Sequence, residues 1–262
     1  MLVGSAMDAS GEAAQSLERA LCAWASNGRL IAALGGGTRS AVWQVQVDGV
    51  RFAARRCMRP PAAIHWELRL LDLLAGHGLR VAMPVAASDG RRLIDGWSLF
   101  TWLDGDPPSS DRDWYRVAQE LDRIHTLTRG WRQRPGFRST RQLLSAIRGG
   151  DVDLSLMPER AVELCRAAWR RIAGYGQSVV HGDPNGPNIR ISRLGVGFLD
   201  WDEARVDVAV LDFADLPIEI GGWIGGTDAS ALRRAAHAWE AANGWLKEPD
   251  YARRRLGELD AM

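Results

Sequence analysis

Apolar residues recur at helical spacing over residues 12–25, which predicts a first helix. A glycine-rich bend follows, and residues 30–56 then hold β-rich runs joined by Asp48-Gly49, a pattern typical of a β-hairpin. A second helix is predicted after Pro60-Pro61 and ends at Gly76 or Gly78. Three more strands are expected near residues 81–87, 92–94 and 97–103.

Beyond residue 104 the pattern changes from strands to helices. Helices are predicted at residues 112–128, 139–148, 158–174 and 228–243, with a β-rich insert at residues 178–201. Because strands come first and helices later, we predict an α+β fold with two lobes. Residues 1–103 would form the N-terminal lobe and residues 104–262 the C-terminal lobe.

Charge restricts the classes of function. The 262 residues include 33 lysines and arginines against 32 acidic residues, and Lys247 is the only lysine. With a net charge of +1 there is no surplus of positive charge for nucleic acid or a membrane surface. A Walker P-loop or a Schiff base before residue 247 is excluded, because both need a lysine.

The chain carries no pattern of export or of a membrane span. Cys22, Cys57 and Cys165 are odd in number and widely spaced, which indicates reduced, buried thiols and a cytoplasmic protein. No stretch of 18 apolar residues occurs, and the N-terminus does not resemble a signal peptide.

Candidate chemistry is concentrated in residues 178–203. A short apolar strand leads into His181, Gly182 and Asp183, a loop follows to Asn188, and a later strand ends at Asp200. Carboxylate and amide oxygens suit Mg²⁺, and a further carboxylate can accept a proton from an attacking hydroxyl. This set of side chains is what metal-dependent phosphoryl transfer requires.

The segments HGDPNGPNI and FLDWDEARVDVAVLDFADL resemble the aminoglycoside phosphotransferase and choline kinase group. The resemblance covers residues 30–217 and implies a bilobal protein-kinase-like fold, with a small antiparallel sheet in the N-lobe and a mainly helical C-lobe. It implies an ATP- or GTP-dependent O-phosphotransferase that uses Mg²⁺. Asp183 would be the catalytic base, and Asn188 and Asp200 the metal ligands.

The resemblance also implies a nucleotide site. In the family a lysine anchors the phosphates and pairs with a glutamate; here Arg55 with Glu67 would take that role, with Arg56 as the alternative. The strand before residue 104 would contact adenine. The expected nucleotide contacts are Arg55, Glu67, Gly36, Gly37, Thr38, Ser40, Thr101, Trp102 and Leu103.

The resemblance implies that the acceptor of the phosphoryl group is a hydroxyl of a small molecule. Aminoglycosides or other hydroxylated antibiotics come first, then choline-like amino alcohols, sugars and homoserine-like metabolites. The acceptor contacts would be Trp201, Asp202, Glu203 and Asp207. His125, His181 and Asp212 are interpreted as structural residues.

Three other hypotheses remain at this point. The acceptor could be a protein serine or threonine, or the chain could be a nucleotide-binding pseudokinase. A metal-dependent hydrolase using His181, Asp183, Asp200 and Asp202 explains less, because it leaves the hairpin and Arg55 without a role. We expect no nucleic-acid or membrane partner, and a monomer with a dimer as the alternative.

Overall fold

The structure is a computed structural model that describes residues 3–34, 41–214, 216–217 and 228–261, with side chains from residue 11 onward. The chain divides into two compact units, Met1–Asp104 and Gly105–Met262. The expected phosphate-binding bend, with Gly36, Gly37, Thr38 and Ser40, lies outside the described residues. None of the described helices is long and apolar enough to cross a membrane.

The first unit is built on an antiparallel sheet. Its helices are α1 (Val3–Leu21) and α2 (Pro61–Gly76), and its strands are β1 (Arg29–Leu34), β2 (Val42–Val47), β3 (Val50–Arg56), β4 (Arg80–Val81), β5 (Pro84–Val85) and β6 (Trp97–Thr101). Five strands form one sheet in the order β1-β2-β3-β6-β5. Asp48 and Gly49 both have positive φ, at 49° and 79°, as a two-residue hairpin turn requires.

Helix α1 covers one face of this sheet. Leu17 and Leu21 of α1 share a buried cluster with Val45, Trp97 and Leu99. Helix α2 begins directly after Pro60 and buries the stripe that the sequence predicts. The predicted hairpin and second helix are therefore present.

The second unit is mainly helical. Its helices are α3 (Asp111–Leu127), α4 (Glu159–Ile172), α5 (Ala229–Gly244) and α6 (Pro249–Ala261), and its strands are β7 (Arg148–Gly149), β8 (Val152–Asp153), β9 (Gln177–Val180), β10 (Ile189–Ser192), β11 (Gly195–Phe198) and β12 (Arg205–Val208). The antiparallel pairs are β7 with β8, β9 with β12, and β10 with β11. Cys165, Trp169 and Trp239 lie in its apolar core. The predicted α+β class is confirmed.

Several predicted elements differ from the structure. Residues 92–94 form only a single bridge, Ile94 to Trp97, across a tight turn. Residues 139–148 form a 3₁₀ turn at Gln142–Leu144 instead of a helix. There the side chains of Ser139 and Gln142 bond each other's backbone N–H groups and so compete with helical bonding. Strand β12 and helix α6 are absent from the sequence prediction.

The cysteines also differ from the expectation. None of them is in a disulfide, but Cys22 is exposed, Cys57 is half-buried and only Cys165 is buried. Burial raises the pKa of the Cys165 thiol to about 12, so this sulfur stays protonated and packs as a small apolar group.

Candidate active site

The loop after β9 is fixed by one buried carboxylate. Asp212, 2% exposed, accepts hydrogen bonds from the backbone N–H groups of His181 at 2.8 Å and Gly182 at 3.0 Å. It also contacts His125 Nε2 at 2.9 Å. Burial alone would raise the pKa of Asp212, but the hydrogen bond and charge of His125 and the hydrogen bond from the Gly182 N–H lower it. Asp212 therefore remains an acceptor for both N–H groups.

Asp183 follows this anchor and presents an exposed carboxylate. Asn185 Nδ2 donates to Asp183 Oδ1 at 2.7 Å, and Asn188 Nδ2 donates to Asp183 Oδ2 at 2.9 Å. A second bond runs from Asn188 Nδ2 to the Asp183 carbonyl at 3.0 Å. Two amide groups thus orient the carboxylate, one on each oxygen.

His181 joins this loop to the strand that carries Asp200. Its ring is fully buried beside Trp201, with ring centroids 4.6 Å apart. His181 Nδ1 accepts from the Asp183 N–H at 3.3 Å, so the proton lies on Nε2, which donates to the Leu199 carbonyl at 2.8 Å. His181 is a brace that fixes the positions of two neighbouring functional segments.

Asp200 follows β11 in a strained conformation. Its φ of 48° lies in the left-handed region, which costs a residue with a Cβ about 1 kcal/mol or more. The Leu199 N–H donates to the Asn188 carbonyl at 2.8 Å, which places Asp200 beside Asn188. The structure therefore brings Asp183, Asn188 and Asp200 together in one loop region of the second unit.

Arg134 stabilises the chain just after Asp200. It is 1% exposed, and its Nη1 donates to the carbonyls of Trp201 at 3.1 Å, Asp202 at 2.8 Å and Ala204 at 3.1 Å. One buried guanidinium thus satisfies three carbonyl groups that no strand pairs. No spacing in the sequence marks Arg134, because its partners are backbone atoms about 70 residues away.

Gly182 cannot accept a side chain without a rearrangement. Its φ is +91°, and a Cβ built there would lie 2.8 Å from the Glu203 carbonyl oxygen and 2.9 Å from Glu203 Cβ. Gly182 takes the place of the arginine found in protein kinases, and this close approach explains why the loop requires glycine.

We expect Gly182→Ala to lower the free energy of unfolding by about 2 kcal/mol, because the clash adds to the cost of positive φ. Urea unfolding of the full chain measures it. Gly130→Ala is the matched control, since Gly130 has φ +75° with open space around it. For Gly130→Ala the free energy of unfolding is expected to fall by about 1 kcal/mol. Equal losses in the two variants would show that the contact with Glu203 costs nothing.

The four residues expected to contact an acceptor also make contacts within the protein. Trp201 is buried against His181 and Phe198. Asp207 is fully buried and accepts from Arg205 at 2.9 Å and from Thr140 at 2.7 Å. Neither residue lines the cavity that reaches Asp183, and both pack within the protein.

The remaining two acidic candidates lie near the loop. Glu203 is half-buried, and both of its carboxylate oxygens accept from Asn243 Nδ2 at 2.8 Å. Asp202 is half-buried, and its N–H donates to Asp200 Oδ1 at 3.4 Å. Asp202 thus supports Asp200, and Glu203 connects the loop to α5.

A cavity in the second unit reaches Asp183. Its volume is about 270 Å³, and residues of α5 and α6 form much of its wall. Tyr251 and Arg255 of α6 line it, and so does Asn185 of the loop. Sequence reasoning missed these three residues. The Pro249 start and the apolar Ala252 and Leu259 could have indicated α6.

In the first unit the structure distinguishes the two candidate arginines. Arg55 on β3 is an ion-pair partner of Glu67 on α2, and both side chains are buried. Arg56 points to the other face, where its guanidinium lies 5.6 Å from the Trp97 ring centroid. Arg55 therefore has the glutamate partner that the sequence predicts.

The expected adenine segment lies at the end of β6. The Thr101 N–H donates to the Met83 carbonyl at 2.8 Å, and Thr101 Oγ1 accepts from the Met83 N–H at 2.9 Å. Thr101 is thus bonded into the sheet edge. Trp102 and Leu103 follow the strand and are half-buried, with Arg51 5.2 Å from the Trp102 ring centroid.

The oxygens of the loop fit a hard divalent cation. Both side-chain hydrogen bonds of Asn188 use Nδ2, which leaves its Oδ1 to serve as a ligand atom, and the Asp200 carboxylate lies on the segment bonded to Asn188. Within the described residues there is no group of three or more His, Cys, Asp or Glu side chains that could hold a metal. This donor set suits Mg²⁺, which takes few protein ligands and completes its shell with water and phosphate oxygens.

The chain is similar in sequence to a bacterial protein. An uncharacterized protein of Deinococcus radiodurans is 27% identical over 237 residues, which cover 78% of this chain and 63% of that protein. The chain thus spans less than two thirds of that relative's length.

Solved structures share the fold. Aminoglycoside phosphotransferase APH(4)-Ia has a TM-score of 0.67 at 14% identity, covering 95% of this chain and 97% of that one. Choline kinase LicA from Streptococcus pneumoniae has a TM-score of 0.65 at 14% identity, covering 96% of this chain and 98% of that one. A microcompartment-associated aminopropanol kinase has a TM-score of 0.63 at 15% identity, covering 94% of each chain. These likenesses confirm the protein-kinase-like fold.

The match to one protein family extends over both units. The phosphotransferase enzyme family matches residues 31–256, which include Arg55, Glu67, Asp183, Asn188 and Asp200. That range is most of the 262 residues. With the loop geometry and the fold in agreement, the chain belongs to the phosphotransferase enzyme family, as its sequence predicts.

Proposed function

We propose that the protein is a kinase that transfers the γ-phosphoryl group of ATP or GTP to a hydroxyl of a small molecule. The observation that carries this proposal is the loop in which Asn185 and Asn188 orient the Asp183 carboxylate while Asn188 lies beside Asp200. The adjoining 270 Å³ cavity favours a small acceptor over a protein chain.

In this proposal the residues of the second unit carry the chemistry. Asp183 accepts the proton of the acceptor hydroxyl and orients its oxygen. That oxygen forms a bond to the γ phosphorus, the bond from phosphorus to the β,γ-bridging oxygen breaks, and the nucleoside diphosphate leaves. A Mg²⁺ ion bound by Asn188 and Asp200 would neutralise charge on the phosphates.

Residues of the first unit would bind the nucleotide. Arg55 is fixed by Glu67, and its fork of N–H groups suits the α and β phosphates. Because Thr101 is already bonded to Met83, the backbone groups of Trp102 and Leu103 are the better adenine contacts. The bend with Gly36, Gly37, Thr38 and Ser40 stays in the proposal as a phosphate contact.

The test is acceptor-dependent transfer, followed by ³¹P NMR with ATP and with GTP over a panel of hydroxylated compounds. We expect one phosphorylated acceptor per nucleoside diphosphate, loss of transfer on chelation of divalent metal, and recovery when Mg²⁺ is returned. Thermal stabilisation by the nucleotide shows in parallel that the binding site is formed. Stabilisation without transfer to any acceptor would identify a nucleotide-binding pseudokinase instead.

A further inference from the structure

The cavity beside Asp183 has a wall built by the two C-terminal helices. Trp239 and Glu240 of α5 face it, as do Tyr251 and Arg255 of α6. Its volume of about 270 Å³ is just below the range of about 300–1,000 Å³ typical of small-molecule pockets, so it suits a small acceptor.

Most charges in this wall are matched within the protein. Asp212 contacts His125 at 2.9 Å, and Glu240 Oε2 lies 2.5 Å from Arg255 Nε. Arg205 pairs with Asp207 at 2.9 Å. Each described wall carboxylate other than Asp183, which the transfer itself requires, thus already has a partner within the protein. A cationic acceptor would therefore compete with these partners for every wall carboxylate except Asp183.

Arg255 is a cationic wall residue whose donors are not all used, and the buried Nε1 of Trp239 in the same wall is a further, uncharged donor without a hydrogen bond among the described residues. Its Nε donates to the Tyr251 hydroxyl at 3.1 Å, and its Nη1 donates to Glu258 at 2.9 Å and contacts His237 Nε2 at 3.3 Å. Among the described residues, none of its hydrogen bonds or ion pairs uses Nη2. A guanidinium fixed by several neighbours loses little freedom when its remaining N–H groups bind a ligand.

We propose that the acceptor is a small hydroxy acid whose carboxylate binds Arg255 Nη2 while its hydroxyl lies at Asp183. This inference rests on the proposed function and names the substrate class of that site. A carboxylate can accept both Nη2 hydrogens, which makes the bond charge-assisted. A cationic group would instead have to displace Arg255 from Glu240.

The experiment uses the full chain with Mg²⁺ and two sets of acceptors that differ in one charged group. The first set is 4-hydroxybutyrate, 4-hydroxybutyramide and 4-aminobutan-1-ol; the second is glucuronate, glucuronamide and 6-amino-6-deoxyglucose. Acceptor-dependent release of the nucleoside diphosphate gives kcat/KM, and calorimetry with a non-hydrolysable nucleotide gives binding. We expect the acid of at least one set to exceed its amide and amine by about tenfold or more.

Variants connect this preference to Arg255. Arg255→Gln is expected to raise KM for the acid by about 10- to 100-fold with little change in kcat. Glu240→Gln, which removes the competing carboxylate, should lower KM for the acid and raise it for the amine. Arg253→Gln is the matched control, because Arg253 lies on the same helix and, among the residues that the structure describes, pairs with Asp250 alone.

The outcomes separate the two proposals. Transfer to an amine or an amide in preference to the acid would overturn the hydroxy-acid inference and leave the kinase proposal intact. Arg255-dependent binding of the acid without any transfer would support the inference and refute the kinase. If Arg255→Gln fails to fold, the opposite shifts expected for Glu240→Gln decide the question. Weaker binding of the acid to Glu240→Gln would also overturn the inference.

Discussion

Asp183→Ala is expected to lower kcat for phosphoryl transfer by about 10²- to 10⁴-fold, because the variant has no group to accept the acceptor's proton. The nucleotide should still bind, since the proposed phosphate anchor Arg55 with Glu67 and the proposed metal ligands Asn188 and Asp200 all remain in the variant. Steady-state kinetics measure the first effect, and calorimetric titration with a non-hydrolysable nucleotide measures the second.

Alanine is a better replacement than asparagine at this position. The Asp183 oxygens accept from Asn185 and Asn188, so an asparagine amide would set an N–H donor against one of these N–H donors. Asp122→Ala is the control, because Asp122 is an exposed carboxylate on α3 outside the loop. Unchanged kcat in Asp183→Ala would exclude Asp183 as the base.

Sequence patterns predicted the elements whose cause is local. Asp48-Gly49 adopts the positive φ values that a two-residue turn needs, and Pro60 precedes α2 directly. Residues 139–148 were predicted as a helix because their apolar residues have helical spacing. The structure differs there because side chains of Ser139 and Gln142 satisfy the backbone groups that a helix would use.

The same distinction applies to the site. Asp183, Asn188 and Asp200 lie in one short segment with a recognisable spacing, so sequence reasoning could group them. Arg134 acts on backbone atoms about 70 residues away, and no spacing indicates such contacts. Arg255 has partners at helical spacing in Tyr251 and Glu258, but its contact with Glu240 of α5 depends on how the two helices pack. Asp207 shows the reverse case. Its place close to Asp200 in the sequence predicts an acceptor contact, but its side chain is fully buried, and burial depends on packing that the spacing does not indicate.

Asp212→Asn is expected to reduce both stability and activity. Asp212 accepts from two backbone N–H groups and from His125 in a buried position. An asparagine amide would set N–H groups against at least one of these donors, and we expect the free energy of unfolding to fall by about 3 kcal/mol at pH 7. Because His181 and Gly182 would lose their anchor, kcat should fall as well.

The dependence on pH tests whether the charge of Asp212 is the cause. Its pKa is lowered in the folded state, so its stabilisation is complete above the unfolded value of about 3.9 and is lost as pH falls through the folded value. The difference in unfolding free energy between wild type and Asp212→Asn should therefore be constant from pH 7 to about pH 5 and shrink at lower pH. Urea unfolding at a series of pH values measures it. A difference that persists unchanged at pH 3 would mean that the shape of the amide, and not the lost charge, destabilises the loop.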